Sequence, residues 1–269
     1  MASTKAEFLT DSDGGEMIEI RLFGTGRVHT AAGEIYLDGA DHWRVLQLLA
    51  VHRTLSTSTL ADLFWDGDAP LGHRAILAGH VAGLCDRLGP VVQVLPGGYG
   101  LDPARVAVDL WDFDELFERA CRLPAGQALP LLERAGDLAR RLPFATEGGQ
   151  AWAAEARARY RDRVVAAATG AARHALTVGA IQRAIQHSTL ATDLDPAAEI
   201  AWRARMSAQH AAGDRTGALR SFHMCRQILA DERGAVPTPA TGDLFRRILR
   251  ARPARRPGAR CRASGAAAR

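Results

Sequence analysis

The sequence has no long apolar run. None of its 269 residues belongs to a stretch of membrane-spanning length. The first sixteen residues carry Lys5, Glu7, Asp11 and Asp13 around a short apolar pair, which excludes a hydrophobic leader of secretory type. A cytoplasmic protein without membrane contact is expected, and residues 1–16 read as a loose tail or as an extension upstream of the start at Met17. Cysteine is equally scarce. Cys85, Cys121, Cys225 and Cys261 stand more than thirty residues apart, which fits neither a CxxC metal spacing nor a stapled secreted domain. They read as reduced, mostly buried thiols. The nine histidines form no HExxH or Cys/His cluster, so no metal is expected. No Ser/His/Asp set and no carboxylate pair is spaced beyond chance, so no catalytic residue, no cofactor and no enzyme activity are assigned.

What is present describes a packed protein of one large or two ordinary domains: 47% hydrophobic residues and a mean hydropathy of −0.10. Positive charge is concentrated at the end. Residues 251–269 hold six arginines and no acid, so the net +4 of the chain becomes −2 for everything before them. Overall basicity is therefore a weak argument for nucleic acid. This arginine-rich, disordered-looking tail is either a backbone-tracking arm or a terminus without specific duty.

The apolar pattern changes along the chain. Ile18, Ile20 and Leu22 alternate with polar residues, and Val28 to Leu37 repeats the alternation around Gly24, Gly26 and Gly33, which predicts a small sheet. From His42 the period becomes helical, with Val45, Leu46, Leu48 and Leu49 on one face. Ser56 then caps a second helix carrying Leu60, Leu63, Phe64 and Trp65. After the Asp66-Gly67-Asp68-Ala69-Pro70 turn, Ile76, Leu77, Val81, Leu84 and Leu88 mark a third helix ending at Gly89-Pro90. Val91 to Leu95 and Tyr99 to Leu101 flank Pro96-Gly97-Gly98 as a hairpin. That loop lacks the lysine of a phosphate-binding loop and opens no helix. The order is that of a winged helix-turn-helix over residues 17–108, whose third helix enters the major groove while the hairpin rides on the backbone.

Beyond Asp109 the chain is alanine-rich and helical to about residue 250. Gly179-Ala180 recurs as Gly213-Asp214, and Ala184-Ile185 as Ala218-Leu219, both thirty-four positions later, the period of tetratricopeptide helical hairpins. Asp195-Pro196 reads as the start of the second unit, and Gly126 with Leu131-Leu132 as an earlier, less regular copy. Trp111, Trp152 and Trp202 with Phe113, Phe117 and Phe222 could form a ligand pocket in the helical domain, but the area they bury makes core aromatics at helix crossings the reading adopted. The predicted class is mainly α with a small β part: a winged helix followed by an all-α repeat domain at 109–250.

These features resemble the Streptomyces antibiotic regulatory protein family, a response-regulator-type winged helix followed by a bacterial transcriptional activation domain, over about residues 17 to 250. The resemblance rests on Leu22-Phe23-Gly24, Leu60-Ala61-Asp62-Leu63-Phe64-Trp65, His80-Val81 with Leu84 and Leu88, and Gly97-Gly98-Tyr99. In the second domain it rests on Val108-Asp109-Leu110 with Phe113, and on Gly213-Asp214-Arg215 to Ala218-Leu219 with Phe222, Arg226, Leu229 and Glu232. It implies an activator that binds direct repeats in double-stranded promoter DNA, pairs with a second copy there, recruits RNA polymerase subunits and controls antibiotic or other secondary-metabolite genes.

The candidate contacts follow. His73 and Arg74 would read bases from the first turn of helix three, with Leu77, His80 and Arg87 further along it, Thr57 donating to phosphate, and Gly98 and Tyr99 in the wing. Each has a plainer reading: a solvated first turn, a packed histidine at 80, and Ser56 as a simple cap beside Thr57. One departure stands out. Where the family carries Ser-Arg before the leucine at 84 and two arginines after it, this chain has Ala82-Gly83 and Cys85-Asp86. Residues 16–108 hold seven arginines against ten acids, a net −3, and Gly83 in mid-helix costs about 1 kcal/mol relative to alanine. The alternative is a winged helix that has become a protein-interaction module tuning another regulator.

Overall fold

The computed structural model describes residues 17–37, 39–144 and 150–251, so residues 1–16 and the arginine tail from 252 onward lie outside the described part. The chain opens with β1 (Ile18–Arg21), β2 (Arg27–Thr30) and β3 (Gly33–Ile35). There follow α1 (Ala40–His52), β4 (Thr54–Ser56), α2 (Thr57–Phe64), α3 (His73–Leu88), β5 (Val92–Leu95), β6 (Gly98–Leu101) and β7 (Val106–Val108). The remainder is helical: α4 (Asp109–Ala120), α5 (Ala125–Leu138), α6 (Ala151–Thr177), α7 (Ile181–Leu194), α8 (Glu199–Ala211), α9 (Arg215–Arg233) and α10 (Pro239–Arg250).

The predicted N-terminal sheet gains a distant strand. Its order is β3-β2-β1-β7, antiparallel except that β1 and β7 run parallel, with Ile18 opposite Val106 and Ile20 opposite Val108. The hairpin β5–β6 is joined by β4, only three residues long, in the order β4-β6-β5. Period-2 alternation sends Ile18, Ile20, Val28, Val106 and Val108 to one buried face. Leu77, Val81, Leu84 and Leu88 lie at helical spacing on α3 and close the same core against α1 and α2.

The helical domain is built on α6, a 27-residue helix about 40 Å long. Its buried alanines at 167, 168, 171, 172 and 175 let neighbouring helices approach closely. The two repeat units are the hairpins α7–α8 and α9–α10. Gly179 and Gly213 precede α7 and α9 in the same left-handed conformation (φ 77° and 82°), and Ala184 and Ala218 are both fully buried. Asp195-Pro196 corrects the expected boundary: it lies inside the first hairpin, between α7 and α8. There the Asp195 carboxylate accepts from the Ala197 N–H (3.0 Å) and the Trp202 indole donates to the Pro196 carbonyl (2.7 Å). Proline marks a helix entry, and every hairpin has two of them. Gly126 sits within the first turn of α5 without a left-handed conformation, so it is not equivalent to Gly179.

The two parts share one core. Asp109 opens α4, and its carboxylate accepts from the backbone N–H groups of Leu22 (2.9 Å) and Phe23 (3.0 Å) just beyond β1. Phe23 meets Phe113 (5.5 Å) and Tyr160 (5.7 Å) edge-on. The Trp111 indole donates to the Ala50 carbonyl (2.7 Å). Of the described cysteines, only Cys225 is buried. Cys85 is half-buried and Cys121 exposed, against the expectation of mostly buried thiols.

Candidate nucleic-acid interface

Local sequence builds a helix-turn-helix. Ser56 has extended backbone, and its hydroxyl accepts from the Thr59 N–H (3.1 Å), starting α2 as an N-cap. Thr57 is turned to the wing. Its N–H (2.9 Å) and its hydroxyl (3.2 Å) both donate to the Gly97 carbonyl, so that hydroxyl is engaged. At the start of α3, His73 lies half-buried with Nδ1 3.2 Å from the Pro70 carbonyl and its ring edge-on to Trp65, while Arg74 is exposed.

Two sequence candidates are corrected by packing. Leu77 is fully buried in the core and presents nothing outward. The His80 ring stacks on Phe64 (5.6 Å), meets His42 edge-on (5.5 Å) and lies 4.0 Å from Asp41, so it faces α1 and α2 instead of the outer side of α3. Gly98 is buried where a Cβ would come within 2.1 Å of the Leu55 carbonyl oxygen. It serves the close approach of β6 to β4. Tyr99 is half-buried, opposite Leu55 and Val94. The wing's exposed residues, Gln93, Val94, Pro96 and Gly97, include no cation.

The arginines sort themselves by partner. Arg21 pairs with Glu19 (2.7 Å), Arg27 with Glu34 (3.2 Å) and Arg105 with Asp102 (3.6 Å). Arg44 donates to the Phe64 carbonyl (3.1 Å), and Arg53 lies over the Trp111 ring (4.6 Å) at the domain junction. Arg74 and Arg87 lie on α3 and are exposed. They are about 20 Å apart along the helix axis and flank its outward arc. The centre of that arc is Ala75, Gly79, Ala82 and Asp86. Gly83 lies where a Cβ would come 2.5 Å from His42 Nε2, so the glycine seats α1 against α3. Sequence reasoning missed this arc because a helical wheel gives positions without saying which cations are already spent. Among the described residues, no cluster of three or more His, Cys, Asp or Glu side chains could hold a metal. No helix there is long and apolar enough to cross a membrane.

Residues 108–249 match the family model of the bacterial transcriptional activator domain. The chain belongs to that family. In front of that domain stands the winged helix of residues 17–108. Across 226 residues it is 29% identical to "Regulatory protein AfsR" of Streptomyces griseus, which covers 81% of this chain and 23% of that one. The chain thus spans under a quarter of that curated relative's length. Its fold is also that of "Mycobacterium tuberculosis EmbR in complex with low affinity phosphopeptide", with a TM-score of 0.77 and 22% identity over 87% of this chain and 65% of that chain.

Proposed function

We propose that this activator-domain protein is a transcriptional activator that binds promoter direct repeats through α3, engages RNA polymerase subunits through its helical domain and controls secondary-metabolite genes. The observation that carries the reading is the outward arc of α3, where Arg74 stands at the N-terminal end from which recognition helices read bases. Alanines beside it suit thymine methyl groups, and small side chains allow close approach to the groove. With few cations, affinity is low in a single copy: neutralising two phosphates gives a slope of log K against log salt of about −2. Pairing on adjacent repeats, and the six tail arginines, would add to it. Footprinting upstream of the neighbouring biosynthetic operon tests this, and a blank at micromolar protein and about 100 mM salt overturns it. Arg74→Ala should lose about 1–3 kcal/mol at one base position while random DNA is little affected.

A second reading has its own observation. Leu71, just before α3, is fully exposed, Ile76 near the start of α3 is exposed, and Asp86 stands on the small-residue arc where the family carries a cation. Such a face suits a protein partner, as in a module that tunes a related activator. Co-purification with that activator, lost on Ile76→Glu, supports this reading. Tight stand-alone operator binding ends it.

A further inference from the structure

Between α4, α5, α6 and the start of α8 lies a cavity of about 440 Å³, a volume that suits a small molecule. Phe117, Leu132, Val165 and Ile200 are its apolar walls. Thr169 lines it from α6 and is 2% exposed. Its hydroxyl has no hydrogen-bond partner. A buried hydroxyl left unpaired is costly, and a threonine in a helix ordinarily spends it on a carbonyl of the preceding turn. Here it stands unpaired in the wall of the cavity.

The mouth has a direction. Asp162, Ala166, Thr169 and Arg173 follow one another at three- and four-residue spacing, hence on one face of α6. Arg173 stands one turn beyond Thr169, whereas Asp162 closes the other end. Asp195 at the rim is turned back on the Ala197 N–H. His174 beside Arg173 is held below its ordinary range by burial and by the Arg173 charge, so it is a neutral partner at pH 7. An anion is therefore favoured at the Arg173 end and repelled at the other.

We propose that this cavity is a small-molecule site for a compact aromatic acid, its ring between Phe117 and Leu132, a hydroxyl bonded to Thr169 and a carboxylate on Arg173. The site adjoins the domain junction, because Phe117 stacks on Phe113 (6.1 Å) and Phe113 meets Phe23 of the winged helix (5.5 Å). It goes beyond the DNA-binding reading and is tested without DNA.

Full-length protein is titrated with 6-hydroxy-2-naphthoate and with 2-naphthoate, following ligand fluorescence anisotropy. One saturable site is expected, with the hydroxylated acid bound about 2- to 10-fold more tightly, the range of one hydrogen bond. Thr169→Val should erase that preference, and Arg173→Gln should weaken both acids alike. Ala166→Trp, at an exposed position on the rim, should plug the cavity and block both. Arg173 is also exposed, so its variant reports on binding even where Thr169→Val alters packing. No saturation by either acid at millimolar concentration overturns the proposal. So does binding that Ala166→Trp leaves unchanged, or a hydroxyl preference that survives Thr169→Val.

Discussion

Asp109→Asn removes a buried charge from the joint between the winged helix and the helical domain, and its effect should depend on pH. Burial pushes the Asp109 carboxyl from 3.8 up to about 6, against the lowering effect of hydrogen bonds from the Leu22, Phe23 and Leu110 N–H groups. The folded protein therefore holds this proton more tightly than the unfolded chain. The stability it contributes is complete below pH 3.8 and is lost as pH rises through about 6. At 1.36 kcal/mol per unit, the loss is about 3 kcal/mol. Asparagine keeps one acceptor for Leu22 but cannot ionise. Urea unfolding followed by tryptophan fluorescence, run on both proteins from pH 4 to pH 7.5, isolates the difference. Wild-type stability minus that of the variant should fall by about 2 kcal/mol between pH 4 and 6.5 and then level off, the remainder of the roughly 3 kcal/mol lying below pH 4. Using the difference cancels Asp112 and Asp114, which burial also raises. A difference that rises with pH would refute the reasoning, because the three N–H donors would then outweigh burial.

The two glycines of α3 should behave oppositely. Gly79 has open space around its would-be Cβ, so Gly79→Ala should stabilise by about 1 kcal/mol, whereas Gly83→Ala should lose that gain to the His42 contact; equal gains in thermal unfolding would show that His42 moves aside freely. Burial pulls Glu199 up, but hydrogen bonds from Thr241 and Thr238 win and hold it below its ordinary range. The tie from α8 to α10 should therefore persist above the unfolded value of 4.5 and weaken as pH falls below it. Glu199→Ala should expose α10 to proteolysis at neutral pH, and cleavage no faster than in wild type would deny the latch.

Much of the architecture was legible because it is written in local periods. Alternation at Ile18, Ile20 and Leu22, and the stripe from Leu77 to Leu88, follow from backbone geometry of 2.0 and 3.6 residues per repeat, whatever the rest of the chain does. The thirty-four-residue recurrence was legible for the same reason: each hairpin needs a small residue at its crossing, and Ala184 and Ala218 supply it. The strand β4 was not, since Thr54–Ser56 is too short to show a period and exists only by pairing with β6. Nor could the sequence separate a hairpin's start from its middle at Asp195-Pro196, where proline suits either helix entry.

The candidate site was harder. Sequence supplied the helix, the cap at Ser56 and the arginine count. Tertiary structure decided that Arg44 and Arg53 are held by Phe64 and Trp111, that His80 turns inward, and that Gly83 is a seat for His42 and not a flaw. It also brought Thr169 to a cavity with Phe117, fifty-two positions earlier in the chain. The physical reason is that periodicity fixes which way a side chain points relative to its own element. Whether its charge or hydroxyl is already satisfied depends on atoms delivered by remote segments, and these are assigned only when the chain closes on itself.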